Sequence, residues 1–262
     1  MSAPADRPVA LVTGAGDGIG WATARGFAEA GYRVVLADLR GEAAAARAAE
    51  LGGDHLAQAC DVADEAAVLR LFDAIGQGCG RLDAVVNNAG IGSPHIPTLA
   101  QGMDAFAQVL RVHLHGTFLV SREAGRMMAA RGGGAIVNVS SIAGLGGLPR
   151  RNAYGAAKAG IVAMTRSMAC EWAGHAIRVN AVAPGYVATA LVARLAREGS
   201  VDERKLRRRI PLGRLARPEE IAAAILFLAS PAASYITGSV LSVDGGWIAF
   251  ADAGDAAGAN PE

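Results

Sequence analysis

Short apolar runs alternate with longer amphipathic stretches from one end of the chain to the other. The runs Val9–Thr13, Arg33–Ala37, His55–Cys60, Ala84–Asn87, Ala135–Val139, Arg178–Ala181 and Val240–Val243 have strand length. Several are apolar at consecutive positions, as in Val34-Val35-Leu36 and Ile136-Val137, so both faces of the strand must be covered. Helical spacing fills the intervals Ile19–Ala30, Glu42–Leu51, Glu65–Gly76, Met103–Ala130, Ala153–Gly174 and Pro218–Ala229. Strand and helix in alternation, with short connections, predict right-handed βαβ units and a parallel sheet. No break in composition divides residues 1–262, which read as one α/β domain. Within it, 189–211 is long and charged and reads as a substrate-loop insertion, while 252–262 is small and polar and reads as a flexible tail.

Composition narrows the function. Hydrophobic residues make up 52%, enough for a sizeable core. A net charge of +1 provides no field to gather nucleic acid or an anionic membrane, so neither is an expected partner. Residues 1–6 lack the basic and apolar regions of a signal peptide. Near the C-terminus the longest apolar run, Ile221–Ala229, is far short of the roughly 20 residues of a membrane span. A soluble cytoplasmic protein is expected. Cys60, Cys79 and Cys170 show no paired spacing and read as small buried apolar residues.

After the first strand comes Thr13-Gly14-Ala15-Gly16-Asp17-Gly18-Ile19-Gly20, leading straight into a helix. Glycines there let the backbone turn sharply and approach a pyrophosphate, whose charge the helix N-terminus meets. The second strand ends at Asp38-Leu39, and Asp38 lies 18 residues beyond Gly20, where a carboxylate accepts bonds from a ribose. Such a carboxylate repels a 2′-phosphate, so NAD is expected rather than NADP. Arg40 points the other way, and Asp38 also reads as a turn residue before Gly41. Asp61-Val62 could meet an adenine edge or simply cap a helix before Glu65. Asn87-Asn88-Ala89-Gly90 is a turn or a cofactor-side strand end.

The sharpest signal is Tyr154-Gly155-Ala156-Ala157-Lys158. Four residues apart in a helix, Tyr and Lys share a face. A nearby ammonium favours the phenolate and draws its pKa toward the working range. Ser141, 13 residues before Tyr154, adds a hydroxyl for the same substrate oxygen.

With these motifs in order, and with Pro184-Gly185 and Asp244-Gly245-Gly246 beyond them, residues 8–248 resemble the short-chain dehydrogenase/reductase family. The resemblance implies a single doubly wound (Rossmann-type) domain with a seven-stranded parallel sheet, helices on both faces, and a homotetramer. It implies hydride transfer between NAD and a secondary alcohol or ketone, with no metal. Tyr154 would be the acid/base, Ser141 would orient the oxygen, and Lys158 would hold the nicotinamide ribose. Pro184, Gly185, Val187 and Thr189 would hold the carboxamide. His113 stands where the family usually has an asparagine that organises a proton relay. It either shuttles protons, with a near-neutral pKa, or merely fills the helix face. His55, His95, His115 and His175 show no ligand spacing.

The rival readings are a 3-oxoacyl thioester reductase and a non-catalytic NAD-binding regulator. Substrate choice falls to the loops Ile91–Leu99 (with Ser93, Pro94, His95 and Pro97), Ile142–Ala153 and Tyr186–Pro211. Leu145, Leu148 and Tyr186 suggest an apolar wall, and Arg150 and Arg151 could meet an anionic group. The basic run 204–209 could do likewise, or could be a solvated helix face.

Overall fold

A computed structural model describes residues 7–92, 95–197, 202–252 and 254–256. Ser93, Pro94, residues 198–201 of the expected substrate loop, residues 1–6 and most of the 252–262 tail lie outside the described residues. Seven strands, β1 (Val9–Thr13), β2 (Arg33–Asp38), β3 (Leu56–Ala59), β4 (Ala84–Asn87), β5 (Gly134–Val139), β6 (Ile177–Pro184) and β7 (Val240–Val243), form one sheet. Its order is β3-β2-β1-β4-β5-β6-β7, and every pairing is parallel.

The consecutive apolar positions divide between two cores, as the period of two requires. Leu11, Val35, Val85 and Ile136 face α3 (Glu65–Gly78), α5 (Gly116–Ala129) and α6 (Asn152–Trp172) through Leu71, Ile75, Met128 and Met168. Ala10, Val34, Leu36 and Val137 face α1 (Gly18–Glu29), α2 (Gly41–Leu51) and α9 (Pro218–Ala229) through Phe27, Ala44, Ile221 and Ile225. The result is a single Rossmann-type α/β sandwich of three layers.

Three stretches differ from the sequence reading. The long helix expected over Met103–Ala130 comprises α4 (Met103–Leu110), a π-helical turn over Arg111–His115, and α5. In that turn the Gly116 N–H donates to Arg111 O, five residues back, which re-aims the side chains around His113. The charged loop contains two helices, α7 (Ala190–Arg197) and α8 (Glu203–Arg209). The Asp202 carboxylate starts α8 by accepting from the Arg204 and Lys205 N–H groups at 3.1 and 3.2 Å. Of the cysteines only Cys60 is buried; Cys79 is partly covered, and Cys170 is exposed on the outer side of α6.

Candidate active site

Because all strands run the same way, Thr13, Asp38, Asn87, Val139 and Pro184 end at one edge of the sheet. The chain reverses its winding between β1 and β4, and a crevice opens where the connecting helices diverge. A cleft of about 840 Å3 runs along that edge.

One half of the cleft is built from the glycine loop. Gly14 has φ 64°, and a Cβ on Gly20 would sit 2.0 Å from Gly14 O, so neither position admits a side chain. The Asn88 amide donates to Thr13 O at 2.9 Å and to Gly14 O at 3.1 Å, locking the loop to β4. Trp21 N–H closes on Asp17 O, and Gly18 N–H on the Asp17 carboxylate. Among the described residues, the N–H groups of Ile19 and Gly20 meet no protein acceptor, which leaves a helix N-terminus open to an anion.

Asp38, 8% exposed at the end of β2, accepts from Gly16 N–H at 2.9 Å and Arg40 N–H at 3.0 Å. The Arg40 side chain is 67% exposed, its Nε 3.7 Å from Asp38 Oδ1. Asp61 makes a local turn, accepting from Ala63 N–H, and Asp64 rather than Asp61 caps α3. These features fit a dinucleotide: unbonded amides at a helix N-terminus, a glycine cradle that a Cβ would fill, and a covered carboxylate beyond it.

The other half holds Ser141, Tyr154 and Lys158. Ser141 follows β5 and opens a short helical turn, its Oγ accepting from Ala143 N–H at 3.1 Å. Tyr154 and Lys158 lie on the first turns of α6, with Lys158 Nζ 5.5 Å from the Tyr154 ring centre. Lys158 donates to Val139 O at 2.7 Å, and Ser140 Oγ donates to Lys158 O at 2.9 Å, so β5 holds α6 in place. Burial lowers the Lys158 pKa to about 7. Burial also raises that of Tyr154, against which the Ser141 hydroxyl and the Arg151 guanidinium work. Burial prevails and the phenol stays above its ordinary value; the groups that oppose the rise are Ser141 and Arg151, where the spacing had pointed to Lys158.

His113 is 3% exposed and stands edge-on to Tyr154, ring centres 5.3 Å apart. Its Nε2 lies 3.0 Å from Ile91 O, and its buried Nδ1 has no partner among the described residues. A Cβ on Gly90 would come within 2.4 Å of His113 Cε1, so Gly90 makes room for the ring. Burial, with Lys158 nearby, lowers the His113 pKa to about 3. The near-neutral pKa expected for a shuttle is thus corrected: the imidazole stays neutral at physiological pH because it cannot be solvated as a cation.

The cleft brings together the residues marked in the sequence. Asp38, Leu39, Asp61 and Val62 line one end; Gly14, Asp17, Gly18, Ile19, Asn88, Ala89 and Gly90 line the middle. Ser141, Tyr154, Lys158, His113, Pro184, Gly185, Val187 and Thr189 line the rest. Gly16 and Gly20 do not line it; they set the curvature of the loop against Asp38 and Gly14. Sequence reasoning missed a buried polar ladder beneath it. Asn87 Nδ2 donates to Ser121 Oγ and Asn138 Oδ1, both at 2.8 Å, and Asn138 Nδ2 donates to Thr165 Oγ1 at 2.9 Å. It also missed Gln108, which lines the cleft; Val192, Asp202 and Leu206 line it from within the Tyr186–Pro211 loop assigned to the substrate, without having been singled out. An aspartate set to cap the helix after 202 was the available signal for α8.

Fold and site together define a dinucleotide-dependent oxidoreductase. The family model described as enoyl-(acyl carrier protein) reductase matches residues 14–248. Over 95% of its length the chain is 46% identical to an uncharacterized short-chain type dehydrogenase/reductase of Sinorhizobium fredii, though it spans only 45% of that protein. It is 48% identical to the cis-4-hydroxycyclohexanecarboxylate dehydrogenase of Sinomonas cyclohexanicum, covering 92% of this chain and 96% of that one. The crystal structure of 3-ketoacyl-(acyl-carrier-protein) reductase from Brucella melitensis complexed with NADH superposes with a TM-score of 0.86 at 35% identity. That match covers 93% of this chain and 99% of the other. The chain belongs to the short-chain dehydrogenase/reductase family.

Proposed function

We propose that the protein is an NAD-dependent alcohol dehydrogenase that interconverts a secondary alcohol and its ketone, with Tyr154 as the acid/base. The observation that carries this reading is one cleft in which the Ser141–Tyr154–Lys158 constellation adjoins the glycine loop and Asp38. When bound, NAD supplies the hydride acceptor. Gly14, Asp17, Gly18, Ile19 and the loop Asn88–Gly90 are the residues for its phosphates and neighbouring ribose. Asp38 with Leu39 is assigned to the adenosine ribose, Asp61 and Val62 to the adenine, and Pro184, Gly185, Val187 and Thr189 to the carboxamide. Tyr154 takes the hydroxyl proton, Ser141 donates to the same oxygen, and Lys158 presents its ammonium to the far ribose. His113 serves as a neutral wedge that fixes the Tyr154 ring.

Asp38 supports NAD over NADP: its carboxylate is covered, held by two backbone N–H groups, and Arg40 projects to solvent beside it. No helix among the described residues is long and apolar enough to cross a membrane. A cytoplasmic homotetramer completes the reading, supported by the exposed Phe118 on α5 and Leu241 on β7.

The test is NADH formation over a panel of secondary alcohols, polyols, hydroxysteroids and 4-hydroxycyclohexanecarboxylate, beside NADP and with matching ketones in reverse. Tyr154→Phe lowers turnover by about 10²–10⁴-fold while NADH binding survives. Unchanged turnover refutes the assignment. The family description and the Brucella likeness favour one second reading, reduction of a 3-oxoacyl thioester. A 3-oxoacyl thioester consumed in preference to every simple ketone decides for it.

A further inference from the structure

Arg150 and Arg151 are adjacent in sequence but opposite in placement. Arg150 is exposed and held at φ 65°, a left-handed backbone that a side-chain-bearing residue seldom adopts. The next residue, Arg151, is half-buried and lines the cleft. The Arg151 guanidinium lies 4.8 Å from the Tyr154 ring centre, and its NH1 meets His95 Nε2 at 2.8 Å. Burial and the two arginines lower the His95 pKa, so the imidazole is a neutral acceptor there. The Asn152 amide donates to the Thr98 hydroxyl, which ties the loop carrying His95 to the start of α6.

Two arginines line the cleft. Arg40 is paired with Asp38, whereas Arg151 has no carboxylate within ion-pair distance among the described residues. Its Nε is buried and has no partner among the described residues. A guanidinium that lines the cleft beside the catalytic phenol without a carboxylate of its own is set to meet an anion that arrives with the ligand. The cleft is lined on its substrate side by apolar Leu148, Val192 and Leu206 together with Tyr186, Gln108 and Lys205. Asp202, the acidic residue on this side, is occupied with the start of α8 and with Lys205.

We propose that Arg151, seated by His95, is the anion anchor of the substrate site, and that the natural substrate is a hydroxy acid whose carboxylate is separated from its carbinol by a short apolar spacer. Arg151 lies over the ring that carries the Tyr154 hydroxyl, so one small molecule reaches both groups. This inference rests on the alcohol dehydrogenase reading above and adds the substrate class to it.

The experiment compares NAD-linked oxidation of 4-hydroxypentanoate and 5-hydroxyhexanoate with that of their methyl esters, in the wild type, Arg151→Gln and Arg151→Lys. In parallel, calorimetry in the presence of NAD measures the binding of hexanoate, which has no carbinol to oxidise. The expected wild-type preference for acid over ester is tenfold or more in kcat/KM, lying mainly in KM. Arg151→Gln brings that ratio close to one and abolishes hexanoate binding, and Arg151→Lys restores part of both. An acid-to-ester ratio near one in the wild type overturns the proposal. So does an Arg151→Gln variant that slows acid and ester equally and moves the pH profile, since Arg151 would then act only on Tyr154. If neither acid nor ester is oxidised, the dehydrogenase reading is decided by the alcohol panel, and hexanoate still decides the anchor. Saturable binding lost in Arg151→Gln supports it, and no wild-type binding overturns it.

Discussion

Replacing Asp38 by asparagine isolates the charge of that side chain from its shape. One amide oxygen still accepts from Gly16 N–H or Arg40 N–H, each now held by a carboxylate oxygen at 2.9 and 3.0 Å, so the loop keeps most of its support. What disappears is a negative charge at the point assigned to the adenosine ribose. Two unit charges 4 Å apart interact by about 1 kcal/mol in water and about 4 kcal/mol at an effective dielectric of 20. A 2′-phosphate carries about 1.5 to 2 charges, and Asp38 is covered but borders an open cleft. Removing the repulsion is therefore worth about 2–4 kcal/mol, or roughly thirty- to thousandfold in the preference for NAD over NADP. Loss of a charged acceptor also weakens NAD itself. The assay is kcat/KM for both cofactors with one alcohol substrate, read as their ratio, with thermal unfolding as a check on the fold. Arg40 is already in place beside the site and becomes free to meet the phosphate. A ratio that stays within a factor of three, with unfolding unchanged, refutes the argument that Asp38 sets the cofactor choice.

Two further outcomes follow from the buried polar groups. The His113 pKa lies near 3, below the ordinary 6.5, so between these values the unfolded chain binds a proton that the folded one excludes. Stability therefore falls as pH drops from 6.5 toward 3, by up to about 1.4 kcal/mol per pH unit from this one group. His113→Asn removes that component, and urea titrations at pH 7 and 4.5 should show a smaller acid loss than in the wild type; an equal loss refutes the assignment. Asn138→Ala leaves the Asn87 amide and the Thr165 hydroxyl short of partners in a fully buried layer. Asn87 keeps its bond to Ser121 and Thr165 its bond to Ile161 O, so each lost bond costs about 0.5–1.5 kcal/mol, and a Tm lowered by less than about 2 °C refutes a stabilising role for the ladder.

Much of the site was legible because its signals are local. The tight turn at Gly14–Gly20, the position of Asp38 at a strand end, and the four-residue step from Tyr154 to Lys158 depend on backbone geometry and helical pitch alone. Arg111–His115 shows where this stops. The apolar pattern over Met103–Ala130 reads as one helix, and a single π-helical turn within it shifts the phase of the following side chains too little to show in so short a stretch. The 189–211 segment hid α7 and α8 because its many charges masked the apolar period, although Asp202 marked the start of α8.

By itself, then, the sequence determined the parallel sheet, the glycine loop and the Tyr154–Lys158 pair, all of which follow from periodicity and short-range sterics. Only the tertiary structure decided which of two neighbouring arginines turns inward and that His95 receives it. It alone decided that His113 is neutral and that Asn87, Asn138 and Thr165 bond in one buried row. The physical reason is common to these cases: desolvation and hydrogen-bond partnership are set by groups far apart in the chain, and they exist only once the helices have closed over the sheet.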